Sequence, residues 1–203
     1  RDKAGLETFV PRLLAMNPEI KILSTGGTYK KINEILNTDA ASNLIPVSEY
    51  TGQPETQGGL VKTLDFKIYL GLLTETYNES HQADLKRTAA VPIDMVVVNL
   101  YPFKETIAKP DVTPEQARGN IDIGGPCMIR ASAKNLLRVA SVTDPGDYND
   151  ILAELRETDG CTSLAMRYRL ARRAFDHTAS YDRAIADYLA KTSFKDIKPC
   201  YQT

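Results

Sequence analysis

Ile20-Lys21-Ile22-Leu23-Ser24-Thr25-Gly26-Gly27-Thr28 decides the fold. Its first four residues make a short β-rich run, the next five a glycine turn, and residues 29–36 have helical period and composition. Strand, glycine turn and helix in that order form the unit from which parallel α/β folds are built. Such a turn leaves backbone N–H groups pointing outward at the positive end of the helix dipole, where phosphate binds. Taken alone, the two glycines fit a merely tight turn equally well.

The pattern recurs down the chain. Ile93-Asp94-Met95-Val96-Val97-Val98-Asn99-Leu100 is nearly all apolar, which suits the central strand of a parallel sheet covered on both faces. Thr113-Pro114-Glu115-Gln116 starts a short helix ending near Gly119, with Thr as N-cap, Pro at the first helical position and Gln three residues after the cap. Gly124-Gly125-Pro126 opens another through about Asn135, residues 139–142 read as a strand, and Asp144-Pro145-Gly146 as a turn. Residues 147–190 are mostly helical, with a break expected around His177-Thr178-Ala179-Ser180. The expected fold is therefore α/β: a parallel sheet flanked by helices, with a helical C-terminal half. No repeat or low-complexity linker divides residues 1–203, which read as a single domain. A helical segment follows Arg1-Asp2-Lys3-Ala4-Gly5 directly, so a leading strand is expected ahead of it.

Composition narrows the function classes. At 203 residues, 42% hydrophobic and 25% charged, the chain can bury a core without disulfide or metal staples. Lys+Arg 25 against Asp+Glu 26 leaves a net charge of -1, so no global field draws it to nucleic acid or an anionic membrane. Cys127, Cys161 and Cys200 form no CxxC pair and have two histidines for company, which argues against a zinc site. No apolar run is long enough for a membrane span and no signal peptide is visible, making the cytoplasm the expected compartment.

Any anion site must then be local. Gly58-Gly59-Leu60-Val61-Lys62-Thr63-Leu64 sets a lysine and a threonine beyond two glycines, as in a loop that closes over an anionic ligand. Asn99-Leu100-Tyr101-Pro102-Phe103 falls at the carboxyl end of the central strand, where ligands bind in open α/β sheets, although its aromatic residues could equally cap the core. Asn120-Ile121-Asp122-Ile123-Gly124-Gly125-Pro126 puts an aspartate before a helix start, and Lys134 follows within that helix. An Asp, a Lys and a Tyr sharing a partly dry pocket can exchange protons. Arg167, Arg169, Arg172 and Arg173 read as the solvated face of an amphipathic helix. His81 and His177 share no ligand or nucleophile spacing, and His177 is expected to pack at a helix end.

Taken in order, these segments resemble the inosine monophosphate cyclohydrolase family, usually the N-terminal half of a bifunctional enzyme whose other half is a formyltransferase. The resemblance is carried by Asp2-Lys3-Ala4-Gly5-Leu6, Leu23-Ser24-Thr25-Gly26-Gly27-Thr28, Val61-Lys62-Thr63-Leu64, Asp94 to Phe103, Asn120 to Pro126 and Ala133-Lys134-Asn135. Ala174-Phe175-Asp176-His177-Thr178-Ala179-Ser180-Tyr181-Asp182 continues it. It implies a methylglyoxal synthase-like fold, a homodimer, no metal or organic cofactor, and a purine ribonucleotide substrate. It also implies closure of formamidoimidazole carboxamide ribotide to inosine monophosphate, with a separate formyltransferase as a candidate partner. The family's phosphate site maps onto Lys3, Ser24, Gly26, Gly27, Thr28, Lys62 and Thr63; its base-contacting and catalytic residues map onto Asn99, Tyr101, Asp122, Ile123, Gly124 and Lys134. Lys62 would then stabilise charge on the formyl oxygen, Tyr101, Asp122 and Lys134 relay protons, and Asn99 orient the carboxamide.

The chain departs from the family pattern where Leu60 replaces an arginine and Asp65-Phe66-Lys67-Ile68-Tyr69-Leu70 replaces a histidine-bearing stretch. A guanidinium grip on phosphate is lost, and Lys67 is expected to restore part of the charge. The altered loop favours another reading, a non-catalytic purine nucleotide-binding or sensor protein; a further alternative is an elimination enzyme like methylglyoxal synthase, and the Lys62, Tyr101, Asp122 and Lys134 set argues against both.

Overall fold

The computed structural model describes residues 2–37, 41–54, 56 and 61–201. Helix α1 (Leu6–Met16) buries Leu6, Phe9 and Val10. β1 (Ile22–Ser24) turns at Thr25 into α2 (Gly26–Leu36), so the expected strand, turn and helix are present, the helix starting at the first glycine. β1 pairs in parallel with β2 (Leu44–Pro46), Ile22 opposite Leu44. The sequence reading missed β2 because three residues ending in a proline give too little pattern to see. α3 (Val47–Thr51), α4 (Phe66–Leu73) and α5 (Glu79–Thr88) follow.

A second parallel pair joins β3 (Met95–Val97) to β4 (Ala140–Val142), Met95 opposite Ala140. Between them run α6 (Phe103–Ile107), α7 (Pro114–Gly119) and α8 (Gly124–Lys134). The Thr113 and Gln116 capping box of α7 forms as the sequence reads. α9 (Tyr148–Glu157), α10 (Leu164–Lys191) and α11 (Phe194–Ile197) make the helical C-terminal half. Parallel strand pairs flanked by helices make this an α/β fold.

Several expectations need correction. The strand read at residues 93–100 keeps a ladder only over Met95–Val97, within a two-stranded pair rather than at the centre of a sheet. Its two faces are covered at the start, where Met95 packs against the core of Phe9, Val142 and Ile151, but the cover ends with the strand. Val96 packs among Ile68, Leu72, Ala131 and Val139, while Val97, on the opposite face of the pleat, stays 39% exposed.

The break expected at residues 177–180 is absent, and α10 runs unbroken through it. Thr178 is fully buried there, and its hydroxyl donates to the carbonyls of Ala174 and Phe175 at 3.2 and 3.1 Å, so the helix itself satisfies it. His177 therefore lies mid-helix, not at an end.

The arginines of α10 are more than a solvated face. Arg169 reaches the buried Asp147 carboxylate at 3.0 Å and Arg173 pairs with the same oxygen. Arg167 donates to the carbonyls of Leu136 and Leu137 at 3.1 and 3.0 Å. These contacts pin α10 to the start of α9 and to the α8–β4 connection. Arg172 keeps to the surface, over the ring of Tyr168.

Among the described residues, no helix is long and apolar enough to cross a membrane. No group of three or more His, Cys, Asp or Glu among them is placed to hold a metal ion.

Candidate functional site

The carboxyl ends of the strands carry the candidate site, as the open-sheet rule requires. β1 ends in the buried Ser24, and α2 begins at once with Gly26, whose φ of 49° is left-handed and suits glycine. The α2 N-cap, Thr25, makes no side-chain cap bond, so the first turn presents its amides without that competitor. Two ammonium groups close on this turn. A Cβ built on Gly26 would lie 3.4 Å from Lys62 Nζ, and one on Gly27 would lie 3.3 Å from Lys3 Nζ. Both ammonium groups thus lie at contact distance from the helix start.

The next residue in the loop reaches a second helix. A Cβ on Gly124 would come 2.7 Å from Thr63 Oγ1, so the threonine hydroxyl lies on the first turn of α8. Consecutive residues Lys62 and Thr63 thus address the N-terminal ends of two helices, each carrying partial positive charge. Thr28 stands in the first turn of α2, and a small crevice of about 20 Å³ beside it is lined by Thr25, Ser48, Gln53, Pro54, Thr56 and Lys62. Two lysines, two helix dipoles and hydroxyl donors, with no carboxylate among the described residues that line the crevice, favour an anion.

On the α8 side, Asp122 Oδ1 accepts from Gly125 N at 2.9 Å, holding the carboxylate at the helix start. Its backbone N–H donates to Tyr181 Oη at 2.8 Å, and that hydroxyl donates in turn to Asn120 O at 3.3 Å. Burial raises the Tyr181 phenol above its ordinary value, with the Asp122 carboxylate and Tyr101 adding to the rise. Tyr101 is 42% exposed just beyond β3 and Ile123 is 57% exposed. The Asn99 side-chain amide donates to Thr143 O at 3.2 Å, joining the carboxyl ends of β3 and β4.

Lys3, Gly26, Gly27, Lys62, Thr63 and Gly124 therefore form one patch, with Ser24 and Thr28 beside α2 and Asp122, Asn99, Tyr101 and Ile123 at the sheet and α8 ends. Two expected members stand apart. Lys67 does not supplement the phosphate charge: Asp65 caps α4 by accepting from Lys67 N, and the Lys67 ammonium turns to the Tyr50 carbonyl at 3.4 Å. Lys134 is exposed at the last residue of α8, about 15 Å of helix rise from Gly124, and is not brought to Asp122. Gly58, Gly59 and Leu60 lie outside the described residues.

Tyr181 is the residue the sequence reading missed. Its signal was available, since Leu170, Ala174, Thr178 and Tyr181 repeat at helical spacing on the buried face of α10. A roomier cavity of about 440 Å³ lies elsewhere, between α6 and α10, lined by Lys104, Ser180, Arg183, Asp187 and Lys191 among others. It shares no residue with the site above, whereas the smaller crevice takes in Lys62 and the α2 N-cap Thr25.

Residues 5–127 match the family model of the MGS-like domain, and residues 132–202 match the model described as AICARFT/IMPCHase bienzyme. The chain is 48% identical over 192 residues to the bifunctional purine biosynthesis protein PurH of Synechococcus sp. (strain CC9605). It is 47% identical over 188 residues to the protein of the same name in Bacillus subtilis (strain 168). These alignments take in 94% and 93% of this chain but 35% of each relative, so the chain spans about a third of their length. Among solved structures, the crystal structure of ForH superposes with a TM-score of 0.74 at 30% identity, covering 91% of this chain and 93% of that one.

Proposed function

The chain belongs to the MGS-like domain family, and from that premise we propose that it is an inosine monophosphate cyclohydrolase of purine biosynthesis. One observation carries the reading: Lys62 and Thr63, adjacent in sequence, lie on the N-terminal turns of two helices, with Lys3 completing an anion site and Asp122 beside it. Similarity to bifunctional purine biosynthesis proteins supports the pathway.

In this reading the ribotide phosphate sits on the first turn of α2 against Lys3, near Ser24 and Thr28, and the base lies toward α8, past Thr63, Ile123 and Gly124, with Lys62 turned to the reacting end of the base. The carboxamide nitrogen attacks the formyl carbon and a C–N bond forms. Water leaves with the formyl oxygen, one hydrogen from the carboxamide nitrogen and one from the formamido nitrogen. Lys62 stabilises negative charge on that oxygen, as a fixed cation does where charge develops. Asp122 takes the carboxamide proton, Tyr101 passes protons toward the departing oxygen, and Asn99 orients the carboxamide. Lys134 has no part in this arrangement. A formyltransferase activity supplies the substrate, and the protein works in the cytoplasm as a homodimer.

The position of Lys134 and the Asp65-capped α4 in place of a histidine-bearing stretch favour a second reading, a purine nucleotide-binding protein without catalysis. Mixing the protein with the formylated ribotide separates the two, since ring closure changes the ultraviolet chromophore. A protein-dependent absorbance change abolished in Lys62→Ala is expected. Unchanged absorbance from a protein that binds inosine monophosphate calorimetrically would overturn the cyclohydrolase in favour of the second reading.

A further inference from the structure

The cavity of about 440 Å³ between α6 and α10 takes no part in the proposed chemistry. Its size is that of a small-ligand site rather than of a packing gap. Ser180, Arg183, Asp187 and Lys191 follow at three- and four-residue steps, so they share one face of α10, and Lys104 of α6 lines the same hollow. Three cations against one carboxylate leave two positive charges there. Asp187 offsets Arg183 only weakly, at 3.5 Å with both side chains more than half exposed. Lys104 and Lys191 make no ion pair among the described residues.

We propose that this cavity binds a small organic phosphate with an aromatic body, at a site separate from the ribotide site. The charges are arranged by position. Lys104 Nζ donates to Ser180 Oγ at 3.2 Å, and Arg183 lies within one turn of that serine, so two cations and a hydroxyl gather at one end. A hydroxyl accepting from an ammonium still has its own hydrogen to give to a phosphate oxygen. A phosphate monoester carries about −1.5 to −2 charge at neutral pH, which matches the surplus in the cavity. Beyond the phosphate end, Ile107, Ala184 and Tyr188 supply an apolar wall. The Tyr188 ring is held edge-on to the buried Phe103 ring, centroids 5.9 Å apart at 87°, so that wall is formed before any ligand arrives. Lys191 closes the far end, about 12 Å of helix rise from Arg183, where it meets an acceptor on the ligand body.

A polyacidic protein segment is the other ligand such cations invite, and Asp187 argues against it. That carboxylate stands between Arg183 and Lys191 on the same helix face and sets a like charge against the middle of an acidic chain. A ligand charged at one end, with an uncharged body across the middle, avoids the clash.

Amide chemical shifts of the nitrogen-15-labelled full chain, titrated with phenyl phosphate, test the proposal residue by residue. Amides of residues 104–107 and 180–191 are expected to shift saturably, independently of those at residues 24–28. Lys104→Glu and Arg183→Glu should each weaken this binding about tenfold, with circular dichroism confirming that the variants are folded. Lys3→Ala should leave it unchanged. Inorganic phosphate should bind more weakly than phenyl phosphate, because nothing then covers Ile107 and Tyr188. Shifts confined to the start of α2, shifts that do not saturate, or an affinity indifferent to both charge reversals would overturn the proposal, as would equal affinity for inorganic phosphate. A short oligo-aspartate peptide that displaced phenyl phosphate and bound more tightly would overturn it in favour of an acidic protein segment. The cavity shares no residue with the cyclohydrolase reading, so failure here is distinct from a failed ring-closure assay.

Discussion

The two ends of α8 treat polar groups in opposite ways. At the N-terminal end, Gly124 and Gly125 meet Thr63 and Asp122, and the neighbouring α2 start meets Lys3 and Lys62: donors and cations gather with few acceptors. Just past the C-terminal end, donors are matched to acceptors within the chain. Asn135 gives its side-chain amide to the carbonyls of Leu72 and Thr74 at 2.8 and 2.9 Å. Arg138, 11% exposed, donates to the carbonyls of Gly71, Thr74 and Ile93 at 2.5, 3.1 and 3.1 Å. The terminal carbonyls of α4, orphaned by helix geometry, are thus capped by protein. One end of the helix is finished by its own chain, and the other presents donors and cations.

Substitutions at the two ends should separate stability from activity. The largest effect is expected from Arg138→Met, which keeps the length of the side chain but removes every donor. Stripping charged donors from buried carbonyls should cost about 3 kcal/mol of unfolding free energy, read by urea titration, with nucleotide affinity unchanged. A variant as stable as the parent would show that the carbonyls find other partners. Lys62→Ala should do the reverse, lowering the cyclisation rate on the order of a hundredfold. Its denaturation midpoint should barely move, because a surface substitution usually shifts stability by less than about 0.5 kcal/mol. Equal losses of rate and stability in both variants would erase the contrast.

The two ends also differed in how far they could be read in advance. Glycine pairs after a strand and before a helix are local signals, and both helix starts, at Gly26 and Gly124, stood in the sequence within a residue or two. The Asn135 and Arg138 clamp did not, because each side chain reaches carbonyls more than forty residues away and any residue type supplies a carbonyl. Lys67 and Lys134 fail for a related reason. Residue type and motif position named them, but the helix caps and helix length that direct their side chains elsewhere belong to the assembled fold. The arginines of α10 had the spacing of a wet face, and only the placement of Asp147 shows what they hold. Tyr181 sat in a recognised motif with no role, since its partners are the backbone groups of residues 120 and 122.

Tyr181→Phe sharpens the comparison at intermediate size, because this phenol is where protein structure supports the open end. The phenol is buried, 7% exposed, and burial raises it above its ordinary value, so it stays a neutral donor and acceptor at working pH. Losing it leaves Asp122 N and Asn120 O unmatched, at a cost of about 1 to 2 kcal/mol in stability. The rate should fall by roughly tenfold through a misplaced Asp122, with the Michaelis constant little changed. Normal kcat with reduced stability would confine Tyr181 to a scaffold role.

The smallest effect concerns His177, which faces the same carboxyl end of the sheet from mid-α10 and has a buried Nε2 without a hydrogen-bond partner. Burial lowers its pKa below the ordinary value, the Asp144 and Asp176 carboxylates oppose that shift, and Lys104 reinforces it. The sign of the pH dependence follows. In the unfolded chain the imidazole takes a proton near pH 6.5, while in the folded chain it resists protonation until lower pH, so between those values the unfolded state binds more protons. Stability contributed by the neutral ring is whole above about pH 7 and declines as pH falls through about 6.5 toward the lowered folded value. His177→Gln keeps a polar side chain of similar reach without a titrating group. Chemical denaturation of parent and variant between about pH 7.5 and pH 5 should show the parent losing more stability on acidification, with the curves parallel above about pH 7. Parallel curves over the whole range would mean that the ring is hydrated in solution and that the open end of the sheet is wetter at α10 than its packing indicates. A parent that gains stability on acidification relative to the variant would reverse the sign and make the Asp144 and Asp176 carboxylates, not burial, the dominant influence on this histidine.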